Sequence, residues 1–181
     1  GNAKDNDLII ISDLDEIPNP KKINDFKFSD KYCVFKQKHF YYKFNLQSQK
    51  NPYWLGSRMC IKRYLKSPQW LRDLKFKKRP FWRIDKARLN NIIDNGGWHF
   101  CNLKKPEQLL NKYKNLCETN DPYHFKEKID EKHLNLEKIK ENIKLKIDII
   151  GRDDTFKKVI IDGSFPEYMI NNIDLYKDWI S

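Results

Sequence analysis

Short apolar runs separated by polar turns are the main pattern along this chain. Leu8–Ile11 is wholly apolar and rich in β-branched residues, which is typical of a strand buried on both faces of an α/β sheet. Residues 32–46 alternate in their second half and predict one long aromatic strand. Further strands are expected at 59–64, 98–100 and 159–161, and helices at 21–26, 67–74, 105–116, 126–150, 166–173 and 174–180.

Turn signals divide these elements without marking a domain boundary. Residues 94–97 read Asp-Asn-Gly-Gly, a strong turn signal ahead of the strand at 98–100. We find no internal repeat and no linker, so residues 1–181 are predicted to form a single domain of the α/β class.

Composition excludes two classes of protein. Of the 181 residues, 39% are hydrophobic, 14% aromatic and 34% charged, which is too apolar for a disordered chain and too polar for a membrane protein. No run approaches the 18 or so apolar residues of a membrane-spanning helix, so we expect no membrane segment.

The net charge of +11, from 36 basic and 25 acidic residues, leaves two interpretations open. Such an excess can bind nucleic acid or another polyanion. The basic residues are nevertheless spread along the chain and interleaved with acids, which favours an origin in overall composition. Nucleic acid is therefore not an expected partner, and a non-catalytic basic module that binds a polyanion is kept as the alternative function.

The four cysteines show neither a C-x-x-C pair nor zinc-ligand spacing with a histidine. Each lies beside apolar residues, which predicts buried free thiols. Together with the absence of an N-glycosylation sequon, this favours a reducing compartment.

Three carboxylates follow the first strand within four positions: Asp13, Asp15 and Glu16. Carboxylates crowded at the end of a strand repel one another unless a cation neutralises them. Ligands of α/β sheets collect at such strand ends, and an all-oxygen ligand set suits Mg²⁺ or Mn²⁺. A solvated turn with a helix cap is the alternative interpretation, and a metal-dependent nuclease or phosphoryl-transfer domain would carry a similar acidic pair.

A second candidate is His99, which follows two glycines and lies between two large aromatic residues. Paired glycines allow a backbone to approach a ligand closely, and imidazole is a common metal ligand. A satisfied core histidine explains the same pattern, and by itself we favour that explanation.

In their order along the chain, these segments resemble glycosyltransferase family 17, which includes the β-1,4-mannosyl-glycoprotein 4-β-N-acetylglucosaminyltransferases and bacterial and viral relatives. Residues 7–18 are similar to the central Asp-x-Asp motif of that family, and residues 96–100 to its Gly-Gly-Trp-His-Phe motif. Stretches at 38–45, 54–57, 67–72 and 162–168 also look familial.

The resemblance implies a GT-A-like fold, a mixed sheet flanked by helices that binds a nucleotide-sugar beside a divalent metal. It also implies a metal-dependent, inverting transfer of N-acetylglucosamine, or a related sugar, from a UDP-sugar to a glycan or glycoprotein acceptor. Because this chain begins a few residues before Leu8, we expect the C-terminal part of a catalytic domain, without the N-terminal βα units that hold the nucleoside. Bacterial or viral relatives would be cytoplasmic, and an animal full-length protein would be in the Golgi lumen.

By the same resemblance, Asp13 and Asp15 hold Mn²⁺ (or Mg²⁺) on the donor diphosphate, and His99 completes the metal shell. Glu16 is expected to orient Asp15 or a sugar hydroxyl. The candidates for the catalytic base are Asp94, Glu118 and Glu167, with Asp94 favoured because it precedes the glycines. Many relatives carry a histidine near the position of Glu118. Candidate aromatic faces for an acceptor sugar, each of which could equally be core packing, are Tyr41, Tyr42, Trp54 and Trp98.

Overall fold

A computed structural model of the protein describes residues 2–74, 91–115 and 135–181. Over these residues the predicted α/β class is confirmed. The strands are β1 (Leu8–Ile11), β2 (Glu16–Pro18), β3 (Tyr32–Tyr41), β4 (Leu46–Ser48), β5 (Tyr53–Ile61), β6 (Asn91–Cys101) and β7 (Phe156–Lys158). The α-helices are α1 (Pro68–Asp73), α2 (Pro106–Asn115), α3 (Leu136–Leu145) and α4 (Glu167–Asn171), and 3₁₀ helices span Pro20–Asp25, Lys62–Tyr64 and Ile173–Trp179.

The chain divides into two compact units, each assembled from discontinuous segments. The first contains Gly1–Lys38 and Tyr53–His99, and the second contains His39–Pro52 and Phe100–Ser181. Strands β3 and β6 each begin in the first unit and end in the second. The prediction of a single domain over residues 1–181 stays a prediction.

Strand β1 differs from the sequence-based expectation in its surroundings. It pairs antiparallel with β5, from Leu8 opposite Ile61 to Ile11 opposite Arg58, and among the described strands it lies at the end of the order β1–β5–β3. All four of its residues are only half-buried. The prediction of a strand buried on both faces is therefore wrong, because an apolar run can equally form the end strand of an antiparallel sheet.

The core of the first unit combines residues of β3, β5 and β6 with Phe26, which follows the first 3₁₀ helix. It is formed by Phe26, Cys33, Phe35, Met59, Ile61 and Ile93. Cys33 and Cys60 are free and completely buried, as predicted, whereas Cys101 is only partly buried. Burial raises the pKa of the Cys33 thiol to about 12, so this group is protonated at neutral pH.

Strand β6 runs straight through the segment predicted to be a turn. Residues 94–97 are part of the strand Asn91–Cys101, so the turn prediction is wrong, although two of its residues keep positive φ: Asn95 at 51° and Gly97 at 137°. A Cβ on Gly97 would lie 2.1 Å from the carbonyl oxygen of Ile17, and one on Gly96 would lie 2.8 Å from Cβ of Phe35. The paired glycines therefore allow the close approach of Ile17 and Phe35 of the protein itself, rather than of a ligand.

The second unit is built around β4, β7 and helices α2 and α3. Strand β4 pairs antiparallel with β7, with Leu46 opposite Lys158. The predicted strand over 32–46 ends at Tyr41 because Tyr42 takes a left-handed conformation, with φ of 61°. The strand predicted over 159–161 is wrong, because the observed strand, β7, ends at Lys158. The core residues are Tyr41, Tyr42, Leu46, Leu109, Tyr113, Ile139, Ile149, Ile150 and Phe156.

The helices of this unit follow the sequence signals more closely. Helix α2 matches the prediction, and α3 begins after Asn135, whose side chain accepts a hydrogen bond from the backbone N–H of Glu137 at 2.9 Å. It ends at Leu145, so the predicted continuation to Ile150 is wrong, because the following residue, Lys146, is left-handed with φ of 58°. The part of the predicted helix before residue 135 lies outside the described residues. None of the helices in the described ranges is long and apolar enough to cross a membrane.

Replacing Gly97 by alanine should destabilise the protein by at least about 2 kcal/mol, because the new Cβ meets Ile17 and the backbone is left-handed. Gly163→Ala is the matched control, since its Cβ would have no atom within 4 Å, and we expect a change within about 0.5 kcal/mol. Denaturant unfolding measures both. Equal losses in the two variants would contradict the placement of β2 on β6.

Asp148 is a buried carboxylate in the second unit, and burial raises its pKa above the ordinary value. At pH values between the pKa of Asp148 in the unfolded state, about 3.9, and its higher pKa in the folded state, the folded protein binds more protons than the unfolded chain. The free energy of unfolding therefore falls as the pH rises through this range. Asp148→Asn keeps an oxygen for the N–H groups of Ile150 and Arg152. Above about pH 4, we expect the free energy of unfolding of this variant, relative to that of the wild type, to increase with pH. Urea unfolding at a series of pH values measures the difference. Asp153→Asn, an exposed neighbour, should show no such trend.

Candidate functional site

The predicted carboxylates lie on a tight turn between β1 and β2, which we call the acidic turn (residues 13–16). The backbone N–H of Glu16 donates to the carbonyl oxygen of Asp13 at 3.1 Å, and the N–H of Asp13 donates back to Oε2 of Glu16 at 3.2 Å. The two hydrogen bonds close the turn on itself. Leu14 is fully exposed at its tip, and Asp13 and Asp15 each keep roughly half of their side chains in solvent.

Glu16 is the buried member of the acidic turn. Only 8% of the residue is exposed, and its carboxylate accepts hydrogen bonds from Nε1 of Trp54 at 2.8 Å and from Oγ of Ser57 at 3.3 Å. A buried charge is tolerated only when donors satisfy it, and here an indole, a hydroxyl and a backbone amide do so. These contacts join Glu16 to the turn and to β5, and its predicted role of orienting Asp15 or a sugar hydroxyl stays a prediction.

A second layer of polar groups supports Glu16. Oγ of Ser57 also accepts from Oγ of Ser12 at 2.7 Å and from Nε2 of Gln37 at 3.0 Å. Gly56 makes room for this layer, because a Cβ there would lie 2.1 Å from Oε1 of Gln37 and 2.8 Å from Cδ of Glu16. The network joins the acidic turn to β3 and β5.

His99 is brought to the acidic turn by the pairing of β2 with β6, in which Glu16 lies opposite His99. Nε2 of His99 lies 3.3 Å from Oδ2 of Asp15. The ring centroid of His99 is 5.1 Å from that of Trp54, at an interplanar angle of 40°. Two motifs that are far apart in the sequence thus meet at one place in the first unit.

Two arginines balance the charge of the acidic turn. Nη2 of Arg72, in the last turn of α1, lies 2.5 Å from Oδ1 of Asp13. Burial lowers the pKa of Arg58, and the carboxylates of Glu16 and Asp13 oppose that shift. Electrostatic repulsion among the three carboxylates therefore does not by itself require a metal ion, because the protein supplies cations of its own.

The residues fit a divalent ion in part. Two ligands of a six-coordinate Mg²⁺-like ion, each about 2.1 Å from it, lie about 3 Å apart. The 3.3 Å between Nε2 of His99 and Oδ2 of Asp15 matches that spacing. In the described part of the chain, however, Asp13, Asp15 and His99 do not form a set with all ligand atoms within 4.8 Å of one another. Oδ1 of Asp13 is paired with Arg72, so this oxygen would coordinate an ion by exchanging Arg72 for it.

The predicted sugar-binding aromatics separate into two groups. Trp98 is buried in the first unit, and Tyr41 and Tyr42 are buried in the core of the second, where their rings pack on Phe156. These placements favour core packing for all three. Trp54, in contrast, is 43% exposed.

Two of the three candidates for the catalytic base, Asp94 and Glu167, lie among the described residues, in the first and the second unit respectively. Asp94 is exposed on β6, where its Oδ1 lies 3.0 Å from Nζ of Lys36. Glu167 is exposed at the first position of α4, in the second unit. Glu118 lies outside the described residues. The identity of a base stays a prediction.

The second unit contains an apolar cavity of about 640 Å³. It is lined mainly by isoleucines, among them Ile160, Ile161, Ile170 and Ile173. None of the residues predicted from the sequence to bind metal, donor or acceptor lines it. The cavity therefore gives no support to the predicted site.

Sequence reasoning missed Gln37, Ser57 and Arg72 as parts of the site. Gln37 follows the core residues Cys33 and Phe35 at a spacing of two residues along β3. A polar side chain at a position expected to be buried needs hydrogen-bond partners, and this need is a signal for a polar network. Ser57 and Arg72 lie in stretches already noted for their resemblance, but nothing in their spacing shows that they reach the acidic turn.

Comparison of the chain with protein-family models, with characterised proteins and with solved structures finds no match.

Replacing Trp54 by phenylalanine removes the indole N–H and leaves the carboxylate of Glu16 short of one donor. We expect a loss of about 1–2 kcal/mol in the free energy of unfolding. Tyr53→Phe is the matched control, an exposed aromatic neighbour that keeps its ring beside Lys36, and it should be neutral. A double-mutant cycle with Glu16→Gln should show that the two effects are not additive, whereas additive losses would contradict the contact.

Proposed function

We propose that this protein is a metal-dependent, inverting glycosyltransferase, or part of one, with a GT-A-like fold. Its substrates would be a UDP-sugar, with N-acetylglucosamine the first candidate, and a glycan or glycoprotein acceptor. The observation that carries the proposal is the 3.3 Å contact between Asp15 and His99. The resemblance to glycosyltransferase family 17 predicts that these two motifs serve one metal, and this contact brings one side chain from each motif together.

Each residue of the site has a part in this proposal. A bound Mn²⁺ or Mg²⁺ ion acts as a Lewis acid on phosphate oxygens and neutralises the departing diphosphate. Asp15 and His99 would hold the ion, and Asp13 would join them. Glu16 keeps both aspartates outside the core, because its own carboxylate is bound to Trp54 and Ser57.

The exposed ring of Trp54 is the best-placed surface for a sugar. It lies beside His99, its indole N–H donates to Glu16, and 43% of the residue is exposed, so its exposed part would stack on the apolar side of a pyranose. Asp94 remains the favoured base, from the sequence alone. The buried free thiols support a reducing compartment, which would be the cytoplasm of a bacterial or viral host.

The direct test is Mn²⁺-dependent release of UDP from UDP-N-acetylglucosamine, measured together with Mn²⁺ binding by electron paramagnetic resonance. Asp13→Asn and Asp15→Asn should each reduce UDP release at least about a hundredfold and weaken Mn²⁺ binding, because both remove a charged ligand. Asp25→Asn, which affects an exposed carboxylate paired with Lys22, should change neither.

The same variants separate this function from the polyanion-binding alternative. A basic module would bind RNA in a salt-dependent way, and the aspartate variants would bind it equally or more tightly. Full Mn²⁺ binding and undiminished UDP release in both variants would overturn the proposed function. So would the lack of any Mn²⁺ binding by the wild-type chain.

A further inference from the structure

Arg72 and Arg58 have different attachments at the acidic turn. Arg58 donates from Nε to the carbonyl oxygen of Leu74 at 3.1 Å and from Nη1 to that of Gly56 at 3.2 Å, so main-chain atoms fix it. Arg72 is held by the side chain of Asp13, and about half of each partner is exposed. An exposed ion pair between two side chains is easily exchanged.

The position of Arg72 is set by helix α1. Ser67 caps the helix by accepting a hydrogen bond from the N–H of Trp70 at 3.1 Å, and Pro68 takes the first helical position. Leu71 is completely buried, which anchors the neighbouring residue on the first unit. The guanidinium of Arg72 is thus delivered from a fixed helix to one oxygen of the proposed metal site.

Arg72 and a divalent ion would compete for that oxygen. Oδ1 of Asp13 cannot keep a guanidinium at hydrogen-bond distance and coordinate an ion without bringing two cations together. A guanidinium carries five N–H donors in a planar fork, which matches the oxygens of phosphate groups. If an ion displaced it from Asp13, it would still lie beside the acidic turn, where it could bind the oxygens of a diphosphate held by that ion.

We propose that Arg72 is a diphosphate-binding residue, held by Asp13 until a divalent ion takes its place. The inference rests on the proposed function of the acidic turn and adds a residue and an order of events to it. In the free protein Arg72 weakens the binding of the metal alone, and after exchange it strengthens the binding of the diphosphate. Its removal therefore has effects of opposite sign on the two ligands.

The experiment measures two dissociation constants in the full chain by isothermal titration calorimetry. The first is for Mn²⁺ alone, and the second is for UDP at saturating Mn²⁺. Arg72→Gln should bind Mn²⁺ about three- to tenfold more tightly and UDP about tenfold more weakly. Arg72→Lys, which keeps the charge but loses the fork, should change both constants in the same directions by smaller factors.

Arg63→Gln is the matched control. Arg63 is an exposed arginine of the same unit, bonded to Asn6, so its replacement removes the same charge away from the acidic turn. It should change neither constant beyond a small screening effect. A variant that is merely destabilised would bind both ligands more weakly, and the unfolding midpoint of each variant identifies that case.

Two outcomes would overturn the inference. If Arg72→Gln leaves Mn²⁺ binding unchanged or weaker while Asp13→Asn abolishes it, the metal site stands and Arg72 is only a structural partner. If Asp13→Asn and Asp15→Asn bind Mn²⁺ as the wild type does, the proposed function and the inference fail together. Tighter Mn²⁺ binding combined with weaker UDP binding in Arg72→Gln supports the inference.

Discussion

A buried carboxylate is the constraint on which the candidate site depends. Glu16 can lie inside the first unit only because Trp54, Ser57 and the backbone of Asp13 all donate to it. These donors come from β5 and from the acidic turn itself, so satisfying one charge also fixes the turn against the sheet. The two aspartates are left facing solvent as a result. Gly56 belongs to the same constraint, since any side chain there would occupy the place of the carboxylate.

Side chains of the protein itself lie beside each carboxylate of the turn. Asp13 is paired with Arg72, Asp15 with His99, and Arg58 lies within electrostatic reach of Glu16 and Asp13. Pairs of this kind stabilise the protein only weakly when half-exposed, so they do not prevent a divalent ion with a higher charge from taking the carboxylates. Under the proposed function, protein cations and a metal ion would alternate at these carboxylates.

Local signals predicted where helices α1 and α2 start. Ser67 and Pro68 mark the start of α1, and Pro106 marks that of α2, because caps and fixed φ angles act on neighbouring residues alone. The strands were harder to place. Leu8–Ile11 has the composition of a strand buried on both faces but lies at the end of an antiparallel order, and the glycines at 96 and 97 lie within a strand rather than in a turn. Both outcomes depend on which segment lies alongside, and this is a long-range property.

The candidate site shows the same division. Asp13, Asp15 and His99 could be selected from the sequence by residue type and by resemblance to a family. Arg72, Ser57 and Gln37 could not, because their contact with the acidic turn depends on the packing of α1, β5 and β3. The sequence shows which residues are charged, whereas the tertiary fold determines which residues contact them.

The pairing of β2 with β6 has a consequence for how this region tolerates changes in chain length. Only three residue pairs define the register, with Pro18 opposite Gly97 at one end and Glu16 opposite His99 at the other. Alternate residues of a strand point to opposite faces, so inserting or deleting one residue between Gly97 and His99 would turn the imidazole away from Asp15. Indels in this short stretch would therefore remove the site even where substitutions of single side chains are accepted.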